Sequence, residues 1–366
     1  MTNAPEEITA KDNKGPFWSG LRLRAVPEIS AKTLLLSRLI AVLTALVLAA
    51  LVINLSGLSP TALGAKAFRS TFGSSFGLEQ LGLLLTPILV TAVAASVAFK
   101  MGLWNIGVEG QLYFGAMAAS GVGIFVSGPN LPMLVLLAVA SMVGGAIWAL
   151  VPALARAYAQ VNEIISTLML NFIAILIVNY LSIGPWRDKS GVGVMAASAR
   201  IPYELPEWFE ALHIGIFFGL VLLVVYGLIS RFTQFGYEID LIGSNNGIGP
   251  YIGVKTPNRI VVVLLISGAI AGLAGMIEIT GNIHRLQDGL SNDYGLYGII
   301  VAVLARGKTL GILVGSVFIA FILNAGLVLQ SAGLSVNSVL ALTGLILLLV
   351  TCSEMLARYR VVRTAI

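Results

Sequence analysis

Polar side chains interrupt an otherwise apolar stretch at Met101–Ala119, MGLWNIGVEGQLYFGAMAA. Asn105, Glu109 and Gln111 alternate there with glycines, inside a region apolar enough to enter a membrane. A carboxylate at membrane depth is costly, so it normally faces the protein interior or a water-filled cavity. Two interpretations are open. The segment is a broken helix beside a translocation path, or it is a helix–helix contact in which glycines permit close approach and Glu109 caps backbone N–H groups.

A second polar segment, Val161–Asn171 (VNEIISTLMLN), leads into another apolar run. Asn171 is its deepest polar residue. It can hydrogen-bond across helices, which is the commoner role, or it can contact a solute. Together with Asn105, Glu109 and Gln111 it forms the candidate substrate path.

The third candidate is the loop at residues 230–259, which is longer than ordinary helix–helix connections, and such loops are usually functional. Asn and Ser before a short apolar stretch are helix-start signals. The loop is therefore predicted to contain a short amphipathic helix along the membrane face, bounded by glycines. Aromatic residues in this polar setting favour a docking element for a soluble partner over an ordinary surface loop. The candidate docking residues are Gly236, Tyr237, Glu238, Asp240, Gly243, Asn246, Tyr251 and Gly253.

Composition excludes several other classes of protein. The 366 residues are 57% hydrophobic and 11% charged, and a soluble globule could not bury so much apolar surface. One Cys and two His offer no disulfide framework and little for a metal site. The triplet Gly307-Lys308-Thr309 is not a P-loop, because Ala302 stands where the first glycine is needed. We expect no enzyme, nucleotide site, metal, cofactor or nucleic-acid partner.

The long apolar runs instead predict an all-α polytopic membrane protein. We count eight to ten membrane segments and prefer ten, one of them a half or re-entrant segment at Tyr297–Ala305 that is too short to span. The runs are Leu39–Leu55, Leu81–Phe99, Val108–Phe125, Leu131–Ala155, Ile164–Leu181, Ile214–Ile229, Ile260–Thr280, Tyr297–Ala305, Leu310–Leu329 and Val336–Leu356.

Charge placement sets the predicted topology. With ten crossings and an internal N-terminus, sixteen of the 22 Lys and Arg residues fall in the cytoplasm and six outside, as the positive-inside rule requires. Residues 1–33 are then an uncleaved cytoplasmic tail, 34–356 the transmembrane domain and 357–366 a cytoplasmic tail. Within the domain, 182–213 is a periplasmic loop and 230–259 a cytoplasmic loop.

Weaker signals give three further expectations. Residues 56–80 are predicted to be an outer connection. Gly268 and Gly272, spaced as Gly-x-x-x-Gly, predict close helix packing. Glu278, at the outer end of its segment, is expected to be solvated.

Four segments resemble permease subunits of bacterial ABC importers, and they occur in the family's order. They are GLWNIGVEGQLYFGAMAA (102–119), VNEIISTLMLNFIA (161–174), FGYEIDLIGSNNGIGPYIGV (235–254) and YGIIVAVLARGKTLGILVGSVF (297–318). The resemblance covers roughly residues 35–356. The wider family serves branched-chain amino acids, simple sugars and nucleosides, and the form NIGVEGQ is similar to the nucleoside or simple-sugar branch.

The resemblance implies a multi-pass subunit of the bacterial inner membrane that pairs with a second permease, identical or homologous. A separate cytoplasmic subunit would hydrolyse ATP, and a periplasmic or lipoprotein receptor would deliver solute. By the same resemblance, loop 236–253 contacts the ATPase, and Asn105–Gln111 and Asn171 lie near the path. Glu238 and Asp240 depart from the basic residue usual in this loop, which suggests a partner with a basic docking groove.

The alternative class is an ion-coupled secondary transporter. Glu109 would then be the proton site, and glycine-broken helices fit such carriers. A secondary transporter works alone with an ion gradient, whereas a permease subunit alone is inert.

Overall fold

The computed structural model describes residues 21–25, 30–188, 196–209, 211–245 and 247–363. Most of the predicted N-terminal tail and Asn246 lie outside the described residues. Twelve α-helices account for most of this part of the chain. They are α1 Ala31–Leu55, α2 Pro60–Phe72, α3 Ser75–Lys100, α4 Val108–Phe125, α5 Asn130–Ala159, α6 Glu163–Ile183, α7 Gly215–Phe232, α8 Gln234–Ser244, α9 Thr256–Gly281, α10 Tyr294–Ala305, α11 Thr309–Ser331 and α12 Val336–Arg358.

Two short antiparallel strand pairs add to the predicted all-α fold. Strand β1, Leu21–Ala25, pairs with β4, Tyr359–Arg363, and β2, Glu207–Phe209, pairs with β3, Leu212–His213. The chain forms two compact units. The smaller comprises the described residues up to 51 together with 344–363, and it contains the β1–β4 pair.

The larger unit, residues 52–343, is built around α3. In the most apolar 18-residue stretch of α3, 83% of the residues are buried, because α7, α9, α10 and α11 all pack against this helix. Helix α4 lies between α5, α6 and α9. The predicted close packing at Gly272 is confirmed, since a Cβ there would overlap the carbonyl of Ser141 on α5. Small residues thus let three helix backbones meet at the centre.

Eight helices in the described part of the chain are long and apolar enough to cross a membrane: α1, α3, α5, α6, α7, α9, α11 and α12. The chain is therefore a polytopic α-helical membrane protein. Helix α4 falls outside this set because Glu109 and Gln111 lower its hydropathy. Helix α10 has 12 residues, starting three residues before the predicted half segment. At 1.5 Å per residue it is about 18 Å long, against about 30 Å of hydrocarbon.

The predicted outer connection at 56–80 contains a helix, α2, and the first residues of α3. The Ser59 hydroxyl accepts a hydrogen bond from the Ala62 N–H, and Pro60 occupies the first helical turn, as helix starts favour. Leu63 and Ala67 are buried on one face. In the sequence, this helix has only a few apolar positions among polar residues, so its helical pattern is difficult to recognise.

Helix α8 confirms a short amphipathic helix in loop 230–259, but its start differs from the prediction. Thr233 is the cap, and its hydroxyl accepts from the Gly236 N–H at 3.1 Å. Ser244 and Asn245 end the helix instead of starting one. The Asn245 side chain accepts from the Gly247 N–H at 3.0 Å, which closes a turn of the kind Asn favours after a helix.

Candidate functional site

The chain leaves helical geometry between α3 and α4, and the predicted polar residues gather around this break at residues 101–107. Asn105 exchanges hydrogen bonds with Gln111 at 2.8 and 3.0 Å. It also donates to the Ser267 hydroxyl of α9 at 2.8 Å, and that hydroxyl donates to the Ala94 carbonyl of α3 at 2.6 Å. Asn105, Gln111 and Ser267 are all buried. The network therefore joins α3, the break, α4 and α9.

Asn171 attaches α6 to the same break. Its side-chain oxygen accepts from the Gly110 N–H and its amide donates to the Ile106 carbonyl, both at 2.8 Å. These are backbone groups that have no helical partner where the helix is interrupted. The buried Asn171 side chain thus provides the hydrogen-bond partners that water would otherwise provide to these backbone groups.

Glu109 acts on a different helix from its own. Its carboxylate accepts from the Gly295 N–H in the first turn of α10 at 2.7 Å, and Glu109 is only 4% exposed. Asp293, at the start of α10, makes no side-chain cap. Glu109 thereby supplies the negative charge and the acceptor that a helix N-terminus requires. Of the two interpretations that the sequence left open, this contact matches the one in which Glu109 caps backbone N–H groups.

All four predicted path residues are therefore brought together, yet each is buried and engaged in helix–helix contacts. Their role toward a solute stays a prediction. Sequence reasoning missed Ser267, Gly295 and Thr91, whose hydroxyl donates to the Tyr294 carbonyl at 2.9 Å. Serine, glycine and threonine are common in apolar helices, so no sequence signal distinguishes these three.

Helix α8 presents two contrasting faces. Ile239 and Ile242 are buried, whereas Tyr237 is 66% exposed. A Cβ at Gly236 would overlap the carbonyl of Ile229, so this predicted docking residue serves the tight turn after α7. Tyr251 is 90% exposed, the most exposed large apolar side chain of the described residues.

Gly243 holds α8 against the break. A Cβ on Gly243 would overlap the carbonyl of Lys100 at the end of α3. Gly102, which follows, has φ +72°, a left-handed conformation that glycine adopts without strain. Only glycine at both positions allows this approach between α8 and the turn that starts the break.

Two ion pairs fix the acidic residues of α8. Arg259 of α9 pairs with Glu238 at 2.5 Å, and Lys100 of α3 pairs with Asp240 at 3.4 Å. The Glu238 side chain is 21% exposed and that of Asp240 68%. Glu238 is thus engaged mainly in a contact within the chain, whereas the Asp240 carboxylate is largely exposed.

A cleft of about 830 Å³ opens beside α8. Its walls come from the first residues of the break, the end of α5, the segment after α8 and the start of α9. They include Gly102, Tyr158, Pro250, Gly253 and Asn258. Gly253 has φ +73°, which the turn before α9 requires. Ile242 of α8 contributes its buried side to the wall of this cleft.

At the opposite end of the bundle, described residues of the predicted 182–213 loop contact the end of α9 and the segment after it. Backbone N–H groups of Ile201 and Leu205 donate to the carbonyls of His284 and Thr280, both at 2.9 Å. The expectation of a solvated Glu278 is wrong: it is 2% exposed and accepts from Asn282 at 2.8 Å. The loop and the helix end bury this carboxylate, which local hydropathy does not reveal.

A bundle of long apolar helices, interrupted at its centre and carrying an exposed amphipathic helix at one end, defines a multi-pass membrane protein. The family described as "Branched-chain amino acid transport system / permease component" matches residues 77–351. The chain belongs to this family. It is a permease subunit of an ABC transporter, a transport component and not an enzyme, as predicted, and this membership sets aside the secondary-transporter alternative.

The names of several relatives of this chain state what those proteins transport. A glucose ABC transporter permease of Haloferax volcanii is 31% identical over 80% of this chain and 81% of its own length. A guanosine ABC transporter permease of Bacillus subtilis is 32% identical over 77% and 82%. A nucleoside ABC transporter permease of Lactococcus lactis is 28% identical over 75% and 79%. No solved structure matches the chain.

Proposed function

We propose that this permease imports a nucleoside or a simple sugar across the bacterial inner membrane. The observation that carries the proposal is the set of relatives whose names give guanosine, nucleosides and glucose. Sugars and nucleosides are rich in hydroxyl groups, so we expect the solute to be recognised mainly through hydrogen bonds.

We further propose ten membrane segments, with α4 and α10 completing the eight long helices, and both termini in the cytoplasm. The antiparallel β1–β4 pair supports an even number of crossings, because it joins the segment before α1 to the segment after α12. The excess of Lys and Arg on the α8 side supports the cytoplasmic assignment. Residues 1–33, 34–356 and 357–366 are then tail, permease domain and tail.

The partners follow from the family. A cytoplasmic ATP-binding subunit would supply the energy, a second permease would complete the pore, and a periplasmic or lipoprotein receptor would deliver solute to the 182–213 loop. The exposed part of loop 230–259, above all Tyr237, Asp240 and Tyr251, is our proposed ATPase contact. The adjoining cleft, which Gly253 lines, enlarges this contact surface.

Coupling would pass from α8 to the break. Gly243 and the Lys100–Asp240 pair attach α8 to the end of α3, and the Glu238–Arg259 pair attaches it to the start of α9. A movement of α8 would therefore be transmitted to α3 and α9, the two helices that meet at Ser267. We propose that Asn105, Glu109, Gln111 and Asn171 keep the break in shape beside the path.

The test is uptake by the complete transporter in proteoliposomes, with permeases, ATPase and receptor co-purified from their native operon. Radiolabelled guanosine, glucose, ribose and leucine are compared, with a non-hydrolysable ATP analogue as the control. We expect ATP-dependent accumulation of guanosine or of a sugar, and none of leucine. Accumulation of leucine alone would refute the substrate class, and accumulation by the chain without an ATPase would refute the function.

A further inference from the structure

The start of α10 lies at the middle of the membrane. The Thr91 hydroxyl donates to the Tyr294 carbonyl at 2.9 Å, and a Cβ on Gly298 would overlap the Thr91 side chain. Thr91 is at the centre of the apolar run Leu81–Phe99 of α3, about 15 Å by helical rise from Leu81 and about 12 Å from Phe99. The residues directly before Tyr294 must share this depth.

Those residues are polar, irregular and exposed. Asn292 and Asp293 both have left-handed backbones, with φ 43° and 64°, and both side chains are exposed. Tyr297, one helical turn further along, is half-buried.

The same exposed surface continues toward the β2–β3 end of the bundle. Asp288 is exposed, and it accepts a hydrogen bond from the Asn179 amide of α6 at 3.1 Å. In the other direction the surface becomes apolar, because the residues of α10 that follow on this side are Ile300 and Val303, both half-buried. The polar surface thus extends from one end of the bundle to its middle and stops there.

Lipid cannot cover such a surface. Hydrocarbon offers no partner for irregular backbone or for a carboxylate, so at this depth both require either protein or a water-filled cavity. The Glu109 carboxylate is bonded to Gly295 within the protein. Asp293 lies only two residues before Gly295, yet the described part of this chain does not cover it.

We propose that Asn179, Asp288, Asn292, Asp293 and Tyr297 line the outer half of the solute path, which ends at the apolar turn of Ile300 and Val303. The identity of the solute rests on the proposed function, but the aqueous exposure of this face does not. Amide, carboxylate and phenol groups at this surface can exchange hydrogen bonds with the hydroxyls of a sugar or nucleoside. The face also identifies the side of the bundle that turns toward the pore.

Cysteine accessibility tests this assignment in the complete transporter. Cys352 is the one cysteine in the sequence, so C352S gives a cysteine-free background. N292C, D293C and Y297C are compared with V224C, which is 57% exposed near the middle of α7 and faces lipid by our assignment. A positively charged, membrane-impermeant methanethiosulfonate reagent is applied to proteoliposomes, with and without trapped nucleotide. Three substituted positions keep the test valid if one variant fails to assemble.

We expect labelling of N292C or D293C at least about tenfold faster than that of V224C in one of the two states, because the reagent attacks thiolate and thiols ionise in water. Equal, slow labelling of all positions in a complex that still transports solute would overturn the proposal, since a protein contact then covers the face. Fast labelling of V224C would overturn it equally. If the native complex accumulates neither nucleoside nor sugar in the uptake assay but D293C is labelled faster than V224C, the proposed substrate fails and this inference stands.

Discussion

The carboxylate of Glu109 accepts a hydrogen bond from the backbone N–H of Gly295, 186 residues later in the chain, at 2.7 Å. A side chain at the start of α4 thus caps the start of α10, and two interrupted helices meet at the centre of the bundle. The helix N-terminus favours negative charge, and the buried carboxylate obtains a partner in return. An intramembrane Glu that suggests a proton site from sequence is, by its contacts, a structural cap.

Replacing Glu109 tests this capping role. Glu109→Ala leaves the Gly295 N–H without an acceptor, and we expect a loss of about 1–3 kcal/mol of stability. Glu109→Gln keeps an acceptor oxygen and should lose less. Thermal unfolding of the detergent-solubilised complex measures both. If Glu109 were instead a proton site, Glu109→Gln would abolish transport at unchanged stability, and that result would contradict the cap.

Ser267→Ala should weaken the polar network at the break. It removes the donor to the Ala94 carbonyl and the acceptor for Asn105, and both groups are buried. We expect a loss of about 1–3 kcal/mol, the usual effect of an unpaired buried polar group. Ser331→Ala, at the exposed end of α11, is the matched control and should be neutral. Equal melting temperatures for the two variants would count against the network.

Gly243→Ala should uncouple α8 from the break. The added methyl group collides with the Lys100 carbonyl, so α8 must shift, and overpacking of this kind costs about 1–3 kcal/mol. We expect solute uptake to fall while the assembled complex still hydrolyses ATP. Gly247→Ala, in the same loop, meets nothing closer than 3.4 Å and serves as the control. Loss of both activities in proportion would point to failed assembly instead.

Exchanging the charges of Glu238 and Arg259 separates an internal ion pair from a partner contact. Glu238→Arg places two cations together and should destabilise the chain, and Arg259→Glu added to it should restore part of the loss. Both side chains are partly exposed, so we expect a coupling of only about 0.5–1 kcal/mol. No recovery of stability in the double variant would contradict a stabilising role for this internal ion pair. Asp240→Arg should impair docking more than folding, because Asp240 is largely exposed.

The pH dependence of stability should include His213, which lies before α7 and outside the membrane segments. Burial, followed by the nearby His284, lowers the pKa of His213 to about 4. The folded state then binds a proton less readily than the unfolded state, whose His titrates near about 6.5. Stability is therefore constant above that pH and falls as the pH drops toward 4, by up to about 3 kcal/mol.

His213→Asn should reduce this pH dependence. Asn retains an oxygen that can accept from the Gly215 N–H, as the His213 Nδ1 atom does at 3.1 Å. Melting temperatures at pH 7.5 and pH 5.0 give the comparison. An unchanged difference between the two pH values would assign the acid sensitivity to other groups.

The sequence by itself determined the membrane class, the apolar segments, the break near Asn105 and the short helix in the loop after α7. These follow from hydropathy and from glycine or polar interruptions, which are local properties of the chain. Even the half segment of α10 is visible as a run too short to span.

Only the tertiary structure decided the partners of the polar residues. Asn105 meets Ser267, Glu109 meets Gly295 and Glu238 meets Arg259 because particular helices are neighbours, and no local pattern encodes that adjacency. The same adjacency buries the candidate path residues and leaves Asp293 exposed. Burial and exposure of a polar side chain inside a bundle depend on which helix covers it, whereas hydropathy records only that the side chain is polar.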